Sequence, residues 1–240
     1  MLIVTKRGYE KMDKIKLGVL VGGTSIEREV SKKSCENLLA NLDENKYEIT
    51  VYHLPADGNT EWAKNIISNP PQIVLSALHG GNGENGSIQG FLHCLNIPYI
   101  GSKVLSSAIC MNKAMAKTVM KANHIQVPDH VFVMRGVDFS QYKESIKLMG
   151  FPLIVKPNRG GSSIGVIVAR NMEDIHYGIK NIIETYDDDV LIEKFIDGKE
   201  INCCVLQGEN GPEAMAVLDV KKAGSVFVYD DKYHIDEYSS

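Results

Sequence analysis

From Ile15 onward, short apolar runs alternate with helix-spaced stretches, and that alternation leaves few folds open. Residues 17–21, 47–54, 73–78 and 97–100 read as strands. Between them, residues 30–42 carry Val30, Cys35, Leu38, Leu39 and Leu42 at helical spacing, and residues 61–68 form a second helical stretch. Strand, helix, strand at these distances predicts βαβ units and a mostly parallel sheet. Sheets of that kind hold their ligands at the carboxyl ends of the strands. Here glycine-rich turns follow the first strand (22–25) and the third (79–86).

Beyond Gly101 the pattern changes. A helical region covers 103–123 and breaks near 111–113. Strands are expected at 131–134, 153–156, 166–169 and 190–195, with a polar turn at 158–165. Asn171 is a natural N-cap for the next helix, with Glu173 and Asp174 in its first turn. This order predicts a second, α+β domain. Further strands are expected at 201–206, 214–220 and 226–229. Residues 1–11 form a polar lead before Met12 and receive no function.

Composition excludes several classes. A net charge of -4 over 240 residues argues against a dedicated nucleic-acid binder. No apolar run approaches the roughly 20 residues that span a bilayer, and the first residues are too short an apolar run for a signal peptide. The five cysteines, Cys35, Cys94, Cys110, Cys203 and Cys204, are odd in number and form no CxxC pair. A disulfide scaffold or zinc site is therefore not expected, and a reducing, cytoplasmic setting is.

Four segments carry chemistry. In residues 156–166, Lys156 ends a strand and leads into a Gly/Ser loop containing Ser162 and Ser163. Small residues with free amides can wrap phosphate oxygens, although GxxxxGK[ST] is absent. The same loop could be a plain hairpin turn, and both readings stand at this point. Residues 191–200, Leu-Ile-Glu-Lys-Phe-Ile-Asp-Gly-Lys-Glu, read on spacing alone as a solvated sheet edge. Residues 22–31 place a strand against a helix N-terminus, which can bind a carboxylate but lacks GxGxxG. His79 ends the third strand, and a lone histidine there reads as structural rather than catalytic.

In combination these segments say more. GGTSIEREVS, HGGNGENGSIQG, VKPNRGGSSIG and LIEKFIDGKE, in this order, with MNK at 111–113 and DDKYH at 230–234, resemble the D-alanine–D-alanine ligases of the ATP-grasp superfamily. The resemblance runs from about Met12 to the last residue, Ser240. It implies an α/β and α+β fold of three parts: a Rossmann-like substrate domain at 12–101, a central ATP-grasp domain at 102–194, and the start of a C-terminal ATP-grasp domain at 195–240. Residues 1–11 would be an extension.

The resemblance also implies roles. Glu27, Ser162 and Tyr233 would act on the first D-alanine, and His79 would lie near its carboxylate. Lys113, Lys156 and Ser163 would contact the phosphates of ATP, and Lys232 its γ-phosphate. Glu193, Lys194, Phe195 and Ile196 would hold adenine, and Glu200 the ribose. The implied reaction is ATP-dependent D-alanyl-D-alanine synthesis for peptidoglycan, through a D-alanyl phosphate, by a cytoplasmic enzyme using ATP and Mg2+. The resemblance also implies a homodimer paired through the N-terminal domain. D-alanine–D-serine or D-alanine–D-lactate ligation, or a non-catalytic ligand-binding fragment, are the alternative implications.

Two departures matter. Gly83-Glu84-Asn85-Gly86 stands where the family has GEDG. The family's magnesium ligands would lie beyond Ser240, well past DDKY, and only Asp236 and Glu237 offer carboxylates after Lys232 here. No residue of this sequence is therefore assigned to the metal. The expectation from sequence is that these 240 residues alone form no dipeptide.

Overall fold

The structure, a computed structural model, describes residues 13–220 together with the paired strands β1 (Val4–Thr5) and β2 (Gly8–Tyr9). The described residues fall into two units that divide in sequence between Ala116 and Lys117.

In the first unit β3 (Ile15–Gly22), α1 (Arg28–Asn41), β4 (Tyr47–Leu54), α2 (Glu61–Ser68) and β5 (Ile73–Ser76) run in order. The strands form a parallel sheet ordered β4-β3-β5. The central strand is apolar on both faces because both are covered. Leu17, Val19 and Val21 pack with Cys35 of α1 on one face. On the other, Leu20 joins Tyr52, Ile66 and Val74. The βαβ expectation is met.

After β5 the chain forms more than a glycine-rich turn. Gly81–Glu84 make one helical turn (α3), and Ser87–Cys94 form α4, which buries Ile88 and Leu92 on the sheet. Four glycines between 80 and 86 conceal that helical spacing in the sequence. The strand expected at 97–100 is also corrected. Only Tyr99 bridges to Val74, because Pro98 has no N–H to extend a ladder. Then come α5 (Val104–Met111) and α6 (Lys113–Ala122), separated at Asn112.

The close of β3 permits a first test. Gly22 has φ +96, and a Cβ there would stand 2.5 Å from the carbonyl oxygen of Leu54. Gly22→Ala is expected to lower unfolding free energy by about 2 kcal/mol, read by denaturant titration, because it combines strain with overlap.

The second unit contains β6 (His130–Val133), a 3₁₀ turn at Phe139–Tyr142, α7 (Lys143–Met149), β7 (Leu153–Pro157), β8 (Ile167–Ala169), α8 (Met172–Tyr186) and β9 (Val190–Lys194). The four strands form an antiparallel sheet ordered β6-β9-β7-β8. Asn171 caps α8 as expected, accepting the Asp174 N–H at 2.9 Å. Ile175, Gly178, Ile179 and Ile182 give α8 a buried stripe. That stripe packs on Leu153, Val155, Val190 and Ile192. By strand alternation, Ile154, Lys156, Leu191 and Glu193 take the opposite face. The hairpin of β10 (Glu200–Gly208) and β11 (Gly211–Val220) comes next, with Ile201, Val205, Leu206, Met215, Val217 and Leu218 exposed.

Candidate functional site

The carboxyl ends of β3 and β5 bring the glycine turns of the first unit together. Glu27 precedes α1 and is 6% exposed. Its N–H donates to Ser25 Oγ at 3.1 Å, and its carbonyl accepts the N–H of Ser31 at 3.1 Å. Ser31 is fully buried and its Oγ accepts the Gly22 N–H at 2.8 Å, which fastens helix to strand. The Glu27 carboxylate lies directly against Gly80, where a Cβ would overlap it. His79 is the neighbour of that glycine. Its Nε2 shares a 2.8 Å hydrogen bond with Ser34 Oγ, and its Nδ1 is 3.9 Å from Glu84 Oε1. A cavity of about 140 Å³ opens here, with Ser25, Leu54, Trp62, Leu78 and His79 in its wall. Glu27 and His79, distant in sequence, thus belong to one end of one sheet.

The second unit holds the other cluster. Lys156 of β7 is salt-bridged to Glu193 Oε1, and Lys117 of α6 stands 2.8 Å from Glu193 Oε2. All three side chains are largely buried, at 20%, 10% and 12% exposure for Lys156, Glu193 and Lys117. Burial pushes the Glu193 carboxyl up, but the ammonium groups of Lys156 and Lys117 together outweigh it and hold the carboxyl below its ordinary value. Two cations share one anion, which leaves an excess of positive charge.

The strand that opens the 191–200 segment is consequently no solvated sheet edge, although Lys194 and residues 196–200 are exposed. β9 pairs with β6 on one side and β7 on the other, and Val190, Leu191, Ile192 and Glu193 are buried. The edge reading failed because a charged pair ending a strand looks solvent-facing until its buried partners are known. Lys194 is exposed, and its N–H donates to the carbonyl of Asp129 at 2.9 Å. The Phe195 N–H donates to the carbonyl of Pro152, and Ile196 is exposed. Glu200 is exposed and pairs with Val220 at the end of the hairpin. Lys113 opens α6.

The loop after Lys156 does connect antiparallel neighbours, β7 and β8. It is nevertheless an unusual hairpin turn. Ser162 and Ser163 have φ of 51° and 57°, conformations that cost non-glycine residues on the order of 1 kcal/mol each. Its entry is tethered from the turn before β9. Asp188, 6% exposed, accepts the Arg159 N–H at 2.6 Å and pairs with its guanidinium at 3.2 Å. The Asn158 N–H donates to the carbonyl of Asp189 at 2.8 Å. Lys117 and Asp188 escaped the sequence reading. The only signal for Lys117 was its spacing of one helical turn from Lys113, and a DDD run ahead of a strand gave none for Asp188.

Lys232 and Tyr233 lie outside the described residues, as does the stretch on to Ser240 past which the family's magnesium ligands are expected. Among the described residues, no group of three or more His, Cys, Asp or Glu is placed to hold a metal ion. No described helix is long and apolar enough to cross a membrane.

Known proteins match this chain along most of its length. The family model described as D-ala D-ala ligase C-terminus matches residues 119–240, and that described as D-ala D-ala ligase N-terminus matches 60–102. A D-alanine–D-alanine ligase of Bacillus anthracis is 39% identical over 220 residues, covering 91% of this chain and 68% of the relative. One from Thermoanaerobacter is 35% identical, with 92% and 72% covered. The B. anthracis D-alanine–D-alanine ligase solved in complex with ATP superposes with a TM-score of 0.73 at 34% identity, over 89% of this chain and 68% of that one. The VanG D-Ala:D-Ser ligase of Enterococcus faecalis gives 0.76 at 27% identity, over 92% and 74%. The mixed α/β fold is that of the ATP-grasp ligases.

Proposed function

This chain belongs to the D-alanine–D-alanine ligase family, and we propose that it joins two D-alanine molecules at the expense of ATP. A carboxylate is a poor acyl donor in water. Transfer of the γ-phosphate to the first D-alanine carboxylate gives D-alanyl phosphate and ADP. The amine of the second D-alanine then attacks the acyl carbon, loses a proton, and expels phosphate. The product serves peptidoglycan synthesis, in the cytoplasm.

Phosphoryl transfer depends on positioned cations more than on covalent chemistry. The observation that carries the reading is the cationic foot of the Gly/Ser loop, where Lys156 and Lys117 share one carboxylate. In this reading Lys156, Lys113, Ser163 and Lys232 hold phosphates, Glu193 to Ile196 border adenine, and Glu200 takes the ribose. Glu27, Ser162 and Tyr233 orient the first D-alanine, with His79 by its carboxylate. Magnesium accompanies the nucleotide, and none of these roles depends on a metal held by the described residues. The division at 12–101, 102–194 and 195–240, and pairing through the N-terminal part, belong to the same proposal.

The test mixes the protein with ATP, magnesium and D-alanine and resolves the products by mass. One phosphate per D-alanyl-D-alanine would establish the reaction and overturn the expectation from sequence that these 240 residues alone form no dipeptide. A mixed product when D-serine is added would move the second substrate toward that of VanG. ATP binding with no D-alanine-dependent phosphate release would leave a ligand-binding protein instead. In the same assay series, Lys156→Ala is expected to weaken ATP binding roughly ten- to a hundredfold, since one charge-assisted contact is worth about 1.5–3 kcal/mol. Unchanged affinity in a folded variant would remove Lys156 from the site.

A further inference from the structure

We propose that Lys117 is a positioning residue for nucleotide binding, which keeps Lys156 available to phosphate by holding Glu193 from the other side. The inference rests on the nucleotide reading of this site. Lys156 and Lys117 do not compete for one atom. Lys156 pairs with Oε1 of Glu193, and Lys117 lies 2.8 Å from Oε2. They come from separate elements, β7 and α6, and approach a residue in the middle of the sheet.

The charge count gives the consequence. With both lysines present the cluster carries one uncancelled positive charge in a largely buried setting, which an anion would neutralise. Without Lys117, Lys156 and Glu193 close into a neutral pair. For Lys156 to turn toward a phosphate it must then abandon Glu193, which would be left as a buried, unpaired carboxylate. Leaving such a charge uncompensated is strongly unfavourable. With Lys117 in place, Glu193 keeps a cation while Lys156 moves. Lys117 therefore need not touch the nucleotide to govern its affinity.

The experiment titrates ATP and adenosine into the wild-type chain, Lys117→Met and Lys117→Arg. Lys117→Met keeps a balanced Lys156–Glu193 pair, so it is expected to fold, and circular dichroism checks this. ATP affinity should fall about tenfold in Lys117→Met, while adenosine, which has no phosphate, binds as in wild type. Lys117→Arg should recover ATP affinity to within about threefold, since it restores the charge. Equal ATP affinity in Lys117→Met and wild type would overturn the inference and leave the nucleotide reading intact. Parallel loss of ATP and adenosine would overturn it in favour of a structural role. A wild-type chain that binds no ATP would overturn the nucleotide reading itself, and the inference with it.

Discussion

Replacing Glu193 with leucine is expected to lower the unfolding free energy of the second unit by about 3 kcal/mol, the lower end of what breaking a buried ion pair costs. Leucine fits a sheet whose neighbouring residues, Leu191 and Ile192, are fully buried, so packing alone would tolerate the change. The loss comes from Lys117 and Lys156, which keep their charges with no carboxylate between them. Their residual exposure allows some hydration and sets the lower end of the range. Denaturant titration of Glu193→Leu against the triple variant Glu193→Leu, Lys117→Met, Lys156→Met separates charge from packing. The triple variant should recover most of the stability, because replacing a whole buried ionic cluster by apolar residues is often neutral. Acid titration supplies an independent check. The folded Glu193 carboxyl is held below its ordinary value of 4.5, so its stabilisation is fully present above that pH and is lost as pH falls through the lower folded value. Wild type should show that decline below about pH 4.5, and Glu193→Leu should lack this contribution.

Gly80→Ala is expected to reduce kcat/KM for D-alanine about a hundredfold while leaving ATP affinity unchanged. The new methyl group would overlap the Glu27 carboxylate and crowd Ser25 Oγ at 2.7 Å, on a backbone with φ +63. Glu27 must move, and misplacing a substrate-orienting group by about 1 Å can cost on the order of 10² in rate. ATP affinity is the control because Lys156 and Glu193 belong to the other unit. Steady-state kinetics with varied D-alanine, paired with ATP titration, reads both quantities. Normal D-alanine kinetics in the variant would mean that Glu27 does not orient the substrate.

Local sequence carried a large part of the architecture. The strand at 47–54 and the helix at 61–68 have the bounds read from periodicity, and Asn171 caps its helix, because each depends on residues a few positions apart. The parallel sheet was legible for the same reason: residues 17–21 of β3 are a continuous apolar run, as burial on both faces requires. Elements that failed were those whose local signal was diluted or interrupted. Glycine spacing obscured α4, and Pro98 turned an apolar run into a single bridge. The motif residues were visible as residue types, but their surroundings were not.

Glu193 shows the difference most clearly. In sequence it is the charged residue that makes an apolar strand look like an edge. In the fold it is a buried carboxylate at the centre of a sheet, stabilised by lysines from β7 and α6 that no short-range pattern connects to it. Glu27 and Gly80 are likewise unrelated until parallel pairing of β3 and β5 sets their turns side by side. Periodicity and capping are set by neighbours along the chain, so the sequence determined the elements and the chemistry they carry. Charge compensation and close approach act through space between distant segments, and only the tertiary structure decided them.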